Sequence, residues 1–262
     1  MSDFLIEDKC YTIAEIHQCT VDNSKLSLSK TVIDKINNSH QVLIDRIDSG
    51  DLIYGVNTGF GKLSQVKIEE QEMKVLQNNL LMSHAAGVGD ATPSSIVKIM
   101  MLLKIISLSK GYSGIRLVLI DKIIELINNG CIPVVPSQGS VGASGDLAPL
   151  SHMFLPMIGL GKIFYNNEVF SSNVILKKLK IKTLDLSYKE GLALINGTQF
   201  STAYGIDSMK RLCQLIKIAD IAGAISTDGL MGTDQAFLQK VQDLKKHPGQ
   251  KYSASNLFNL LQ

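Results

Sequence analysis

The sequence of 262 residues has no cationic excess, because 26 Lys and Arg face 24 Asp and Glu and leave a formal charge of +2. A protein that grips nucleic acid through many phosphate contacts needs such an excess, or a basic cluster. The densest basic stretches, Lys177-Lys178-Leu179-Lys180 and Lys245-Lys246, read as solvated faces. Paired cysteines are missing too: Cys10, Cys19, Cys131 and Cys213 are scattered, which excludes a Cys-x-x-Cys redox pair or zinc knuckle and leaves reduced structural thiols. His17, His40, His84, His152 and His247 lack paired-ligand spacing, so no metal site is expected. The most apolar segment, Ile96 to Leu108, is broken by Lys98 and Lys104 and is too short to cross a bilayer. The acidic opening, Met-Ser-Asp-Phe-Leu-Ile-Glu-Asp, has none of the basic character of a secretory signal, and a cytoplasmic protein without nucleic-acid or membrane partners is expected. Gly61-Lys62 is not a phosphate loop, since Val56 stands where the first glycine belongs and Leu63 replaces Ser or Thr.

What is present is a globular composition, 45% hydrophobic and 19% charged, with length for one to two domains. Periodicity predicts a mainly α fold with a few extended pieces near the front. Ser27 or Ser29 caps a helix running to Asp48-Ser49-Gly50, and another covers about 68–83. Thr92-Pro93 reads as an N-cap followed by proline at the first helical position, with Gly111 closing that helix. A further helix runs from about Gly114 to Asn129. Between Ile96 and Ile127 apolar residues surround the helix axis, so these helices are core or meet other subunits. Asn166-Asn167 marks a hairpin turn, a long helix begins near Gly197 and passes Ala222, and a helix over 234–246 ends at His247-Pro248-Gly249. The pattern from Tyr252 to Gln262 stops without a cap and reads as a truncated chain.

The unusual segment is Pro136-Ser-Gln-Gly-Ser-Val-Gly-Ala-Ser-Gly-Asp-Leu-Ala-Pro-Leu-Ser-His152. Its small residues permit a tight bend, and a helix starting just after would aim unpaired amides at that bend. Gly142-Ala143-Ser144-Gly145-Asp146 is no hydrolase elbow, which needs a residue between Ser and the last Gly. On composition alone the segment is equally an ordinary glycine-rich loop before a helix.

This stretch resembles the Ala-Ser-Gly centre of the histidine and phenylalanine ammonia-lyase family. Three more segments match that family in order: Tyr54-Gly-Val-Asn-Thr-Gly-Phe-Gly61 its tyrosine loop, Ser83-His-Ala-Ala-Gly-Val-Gly89 its substrate-selecting segment, and Ile195-Asn-Gly-Thr198 its asparagine turn. Alone, Tyr54 is equally a packing tyrosine, His84 a core histidine and Asn196 a helix cap. The resemblance implies that Ala143, Ser144 and Gly145 cyclise by themselves into a methylidene-imidazolone, with no external cofactor. The amide nitrogen of Gly145 would attack the carbonyl carbon of Ala143, which side chains would crowd, with that carbonyl oxygen leaving as water, and Ser144 would lose its hydroxyl as a second water. The electron-poor double bond then takes the substrate amine and makes it a better leaving group.

The resemblance further implies that Tyr54 is the base, once positive potential makes its phenolate available, that Asn196 orients the substrate, and that the backbone near Gly61 adds a hydrogen bond. Asp146 would assist ring formation or cap the helix. His84 implies L-histidine as substrate and trans-urocanate as product, because an imidazole calls for a polar partner. Phenylalanine or tyrosine lyases and aminomutases are the alternatives, and a non-catalytic, self-associating helical fragment is another. Arg46, Arg116 and Arg211, the chain's three arginines, lie outside any segment matching a carboxylate site. The chain therefore reads as an inactive N-terminal portion: a mixed α/β domain over 1–111, then the start of a long-helix bundle over 112–262, from a protein that assembles as a homotetramer.

Overall fold

A reciprocal capping box opens the first helix, α1 (Ile13–Val21): the Glu15 amide donates to the Thr12 hydroxyl, and the Thr12 amide donates to the Glu15 carboxylate at 2.7 Å. In this computed structural model, which describes residues 3–59, 68 and 70–262, α1 joins two parallel strands, β1 (Asp3–Ile6) and β2 (Lys25–Leu28). Of the two serines expected to cap the next helix, Ser29 does so, accepting from the Val32 amide and opening α2 (Lys30–Asp48). Next come α3 (Glu70–His84), β3 (Val88–Ala91), α4 (Ser94–Leu108) and α5 (Leu117–Asn128).

Thr92 does not cap α4 as expected. Its amide donates to Val135 O at 2.7 Å, which ties it to the end of the β3 strand pairing, and Pro93 occupies the cap position. Nine residues of α4 are buried, among them Ile99, Met100, Met101, Ile105 and, unexpectedly for an interruption in an apolar run, Lys104. Each fully buried aliphatic side chain contributes about 1.5–3 kcal/mol, so α4 lies at the centre of the core. It packs on α1 and α5. Of the two readings of these apolar helices, core is the one realised within this chain.

After β4 (Ile132–Pro133) and β5 (Pro136–Gln138) come α6 (Leu147–Phe154) and a hairpin of β6 (Lys162–Tyr165) and β7 (Glu168–Ser171). Asn166 and Asn167 turn that hairpin with φ of +49° and +66°, as the sequence suggests. β4 pairs antiparallel with β6, and β3 pairs antiparallel with β5. The chain continues through α7 (Ser172–Leu179), α8 (Glu190–Ile195) and α9 (Gln199–Gly229). Two compact units result, residues 1–206 and 207–262. The boundary expected between 111 and 112 falls inside the first unit, between α4 and α5.

In the second unit the single helix expected over 234–246 is not formed. A 3-10 turn over Asp234–Phe237 is followed by the short α10 (Gln239–Gln242), because Leu238 takes an extended conformation and Gln242 turns back to donate to Ala236 O. His247-Pro248-Gly249 opens a helix rather than ending one: α11 (Pro248–Leu260) has its proline in the first turn, where no amide is needed. No helix among the described residues is long and apolar enough to cross a membrane.

Candidate active site

Three helices that each end or begin at a singled-out segment, α3, α6 and α8, pack on one another in the first unit. The bend at Ala143-Ser144-Gly145 leads into α6 and lies against the turn that follows α8. Gly145 has φ +138°, and a Cβ placed on it would lie 2.6 Å from Gly197 O and 2.8 Å from Gly197 N. Only glycine allows so close an approach of two backbones. The Asp146 amide then donates to Gly197 O at 2.7 Å, which fixes the bend onto the asparagine turn. Ala143 and Ser144 remain exposed on the outside of the bend.

Asp146 does not cap α6 with its side chain. Its buried carboxylate accepts from Ser140 Oγ at 2.6 Å, from Ser201 Oγ at 2.8 Å and from the Ser201 amide at 2.9 Å. It therefore satisfies one of the orphan amides at the start of α9, where an anion also meets the positive end of the helix dipole. The bend lies between the N-termini of α6 and α9.

Asn196 is delivered by the C-terminal end of α8. The start of that helix is anchored twice. Glu190, 1% exposed, accepts from Arg116 Nε at 2.8 Å and Nη2 at 2.6 Å, and from the Ser187 amide at 2.8 Å. Glu190 in turn pushes the Arg116 guanidinium pKa up. Gln77 of α3 accepts from the Gly191 amide at 2.8 Å, and a Cβ on Gly191 would lie 2.7 Å from the Gln77 carbonyl. Below the turn, Lys104 Nζ donates to Asn196 O at 3.0 Å.

The substrate-selecting segment arrives from the other side. His84 closes α3, and its Nδ1 lies 2.8 Å from Leu80 O. A carbonyl only accepts, so Nδ1 carries the proton and Nε2 is the ring atom left to meet a ligand. The Gly87 amide donates to His152 Nε2 at 3.0 Å, joining this segment to α6, and burial pulls the His152 pKa down, in keeping with an unprotonated acceptor. Pairing of Val88 with Gln138 brings the backbone close to the approach to the bend: a Cβ on Gly139 would lie 3.0 Å from Gly87 Cα.

Tyr54, 57% exposed, belongs to a turn between α2 and α3. Asn57 shapes that turn, donating to Asp51 O at 2.7 Å and accepting from the Ile53 amide at 2.7 Å. Gly61, expected to add a backbone hydrogen bond, lies outside the described residues. The arginines are all paired with carboxylates: Arg46 with Asp51, Arg116 with Glu190 and Arg211 with Asp207. No site role was read in the sequence for Lys104, an interruption of an apolar run, for Gln77, or for His152 at the end of the small-residue segment, since each acts through backbone groups that no pattern displays.

A bend of small residues, fixed to an asparagine turn between two helix N-termini, fits self-cyclisation of Ala143-Ser144-Gly145. Gly145 has no side chain to obstruct ring closure, and its neighbours across the turn exclude one. The chain belongs to the aromatic amino acid lyase family, whose profile matches residues 11–262. It is 40% identical over 262 residues to the histidine ammonia-lyase of Caldanaerobacter subterraneus subsp. tengcongensis, an alignment covering 100% of this chain and 52% of that protein. The fold is shared with histidine ammonia-lyase from Trypanosoma cruzi, at 32% identity and a TM-score of 0.90 over 97% of this chain and 50% of that one. Phenylalanine aminomutase from Pantoea agglomerans shares it at 32% identity and a TM-score of 0.93, over 99% and 50%. The chain thus spans about half the length of the relatives it matches.

Proposed function

We propose that this chain carries the prosthetic-group portion of an enzyme that deaminates L-histidine to trans-urocanate and ammonia. The observation that carries the reading is the contact of Gly145 with Gly197, which sets the Ala-Ser-Gly bend on the asparagine turn. Ala143, Ser144 and Gly145 would form the methylidene-imidazolone, which supplies an electron-poor double bond toward the substrate amine. The N-termini of α6 and α9 add positive potential at that bend, and Asp146 holds the second of them in place.

Removing a barely acidic β-proton requires a base, a role assigned to the Tyr54 oxygen. Asn196 orients the substrate through its side-chain amide while its carbonyl is held from below. His84 Nε2 faces the imidazole of the substrate, which favours L-histidine, as does the likeness to curated histidine ammonia-lyases. With all three arginines paired, the substrate carboxylate is met by the part of a family-length protein outside these residues. Exposed aliphatic residues along α9, including Leu215, Ile218 and Ile225, support assembly into a homotetramer. A reducing cytoplasm suits four free cysteines, of which Cys19 and Cys131 are pushed by burial to about 12 and about 11.

One observation favours a second reading, an aromatic aminomutase, namely the equal identity to the Pantoea agglomerans enzyme. The test offers L-histidine, L-phenylalanine and L-tyrosine in turn to a family-length protein containing this chain, beside residues 1–262 alone. Urocanate from the longer protein and little turnover by the shorter one are expected. A β-amino acid product, or product from the aromatic substrates but not from L-histidine, would replace the reading.

A further inference from the structure

The side chain of Lys104 is 1% exposed in the middle of α4, between Met100, Met101 and Ile105 in the core. An ammonium so placed loses its hydration, and among the described residues no ion pair offsets the loss. Burial alone pulls its pKa down to about 7. Among the described residues its Nζ makes one hydrogen bond, to the carbonyl of Asn196 at 3.0 Å. The next carbonyl along the turn, that of Gly197, receives the Asp146 amide at 2.7 Å. Two successive carbonyls are thus held, one by Lys104 from the core and one by the residue that follows the bend. A cavity of about 160 Å³ adjoins the contact, lined by Ser107, Ser113 and Lys189 as well as by Lys104 and Asn196. Lys189 is the other charged group there and has the same sign; the nearby Glu190 is taken by Arg116.

A methionine or leucine would fill the position of Lys104 with no desolvation cost, and replacing buried charge by apolar residues is often neutral or stabilising. Fold stability therefore gives no reason for an ammonium here, whereas the turn it reaches does. We propose that Lys104 is a positioning residue of the lyase reaction, holding the Asn196–Gly197 turn in register with Ala143-Ser144-Gly145. The inference rests on the role given to Asn196 under the proposed function. Lys104 acts through Asn196 and does not touch substrate.

The experiment is a double-mutant cycle in a family-length protein containing this chain, with Lys104→Met, Asn196→Ala and the pair assayed on L-histidine beside thermal unfolding. Misplacement of a reacting group by about 1 Å costs about 10²-fold. Lys104→Met is expected to lower kcat by 10- to 100-fold, on the scale of that misplacement, with an unfolding temperature equal to or above the parent's. The pair is expected to be no slower than Asn196→Ala alone, because Lys104 holds the backbone carbonyl of Asn196 and acts on the rate through the side-chain amide that the alanine has already removed. Lys104→Arg keeps a donor and should recover most of the rate, which also serves should the methionine variant not fold. Unchanged kcat in Lys104→Met, or additive losses in the pair, would overturn the inference while leaving the function standing. Unchanged turnover in Asn196→Ala would overturn both.

Discussion

Gly145→Ala tests the central contact of the site on residues 1–262 themselves, without any assay of activity. The added Cβ would stand 2.6 Å from Gly197 O and 2.8 Å from Gly197 N, both backbone atoms that cannot rotate away. Holding an alanine at φ +138° costs about 1–3 kcal/mol, and forcing the two segments apart costs about 1–3 kcal/mol more. If the turn retreats, the 2.7 Å hydrogen bond from Asp146 to Gly197 is lost as well, a net cost of about 1 kcal/mol. A total destabilisation of about 3–7 kcal/mol is expected from these three contributions. Urea titration followed by helical circular dichroism should show the midpoint falling at constant slope. Gly142→Ala supplies the contrast, because that residue also has positive φ, +64°, but nothing lies within 4 Å of its Cβ. It should lose only about 1–2 kcal/mol. Equal losses for the two variants, or a loss under about 0.5 kcal/mol for Gly145→Ala, would refute the argument that bend and turn are locked together.

Three further outcomes follow from the same geometry. Asp146→Ala removes the buried acceptor of three hydrogen bonds, from the Ser201 amide and from the Ser140 and Ser201 hydroxyls, and should cost about 2–4 kcal/mol in the same titration; Ser201→Ala, which removes one partner only, should cost less. Tyr54→Phe in a family-length protein should lower turnover by about 10²–10⁴-fold, and a near-parental rate would reassign the base. His84→Leu should reduce kcat/KM for L-histidine more than for L-phenylalanine, since the ring nitrogen proposed to meet the substrate imidazole is gone; equal losses would remove it from substrate selection.

Much of the site was legible because its chemistry demands residue types that sequence displays directly. Small residues at 143–145 and the Asn196-Gly197 pair can be read as letters, and the structure adds why: Gly145 and Gly197 meet backbone to backbone. Helices with strong apolar periodicity were legible for a similar reason, and α4 and α5 are core as their all-round apolar character suggests. Local signals failed where tertiary contacts overrode them. Thr92 and Pro93 have the letters of a helix start, yet the Thr92 amide belongs to the strand pairing and moves the cap by one residue. The stretch over 234–246 has helical periodicity, yet Leu238 breaks it with an extended backbone. Lys104 was hidden for a different reason. Hydropathy counts a lysine as an interruption, and only the fold shows that its target is a carbonyl 92 residues away.

The claim on which the account turns is that Ala143, Ser144 and Gly145 become an electrophile in a protein of family length. Intact mass spectrometry of such a protein tests it most directly, with Ser144→Ala as reference. The account predicts a parent lighter than its encoded sequence by two waters and active on L-histidine, and a Ser144→Ala variant at full encoded mass without that activity. A parent of full encoded mass that still converts L-histidine to urocanate would contradict it.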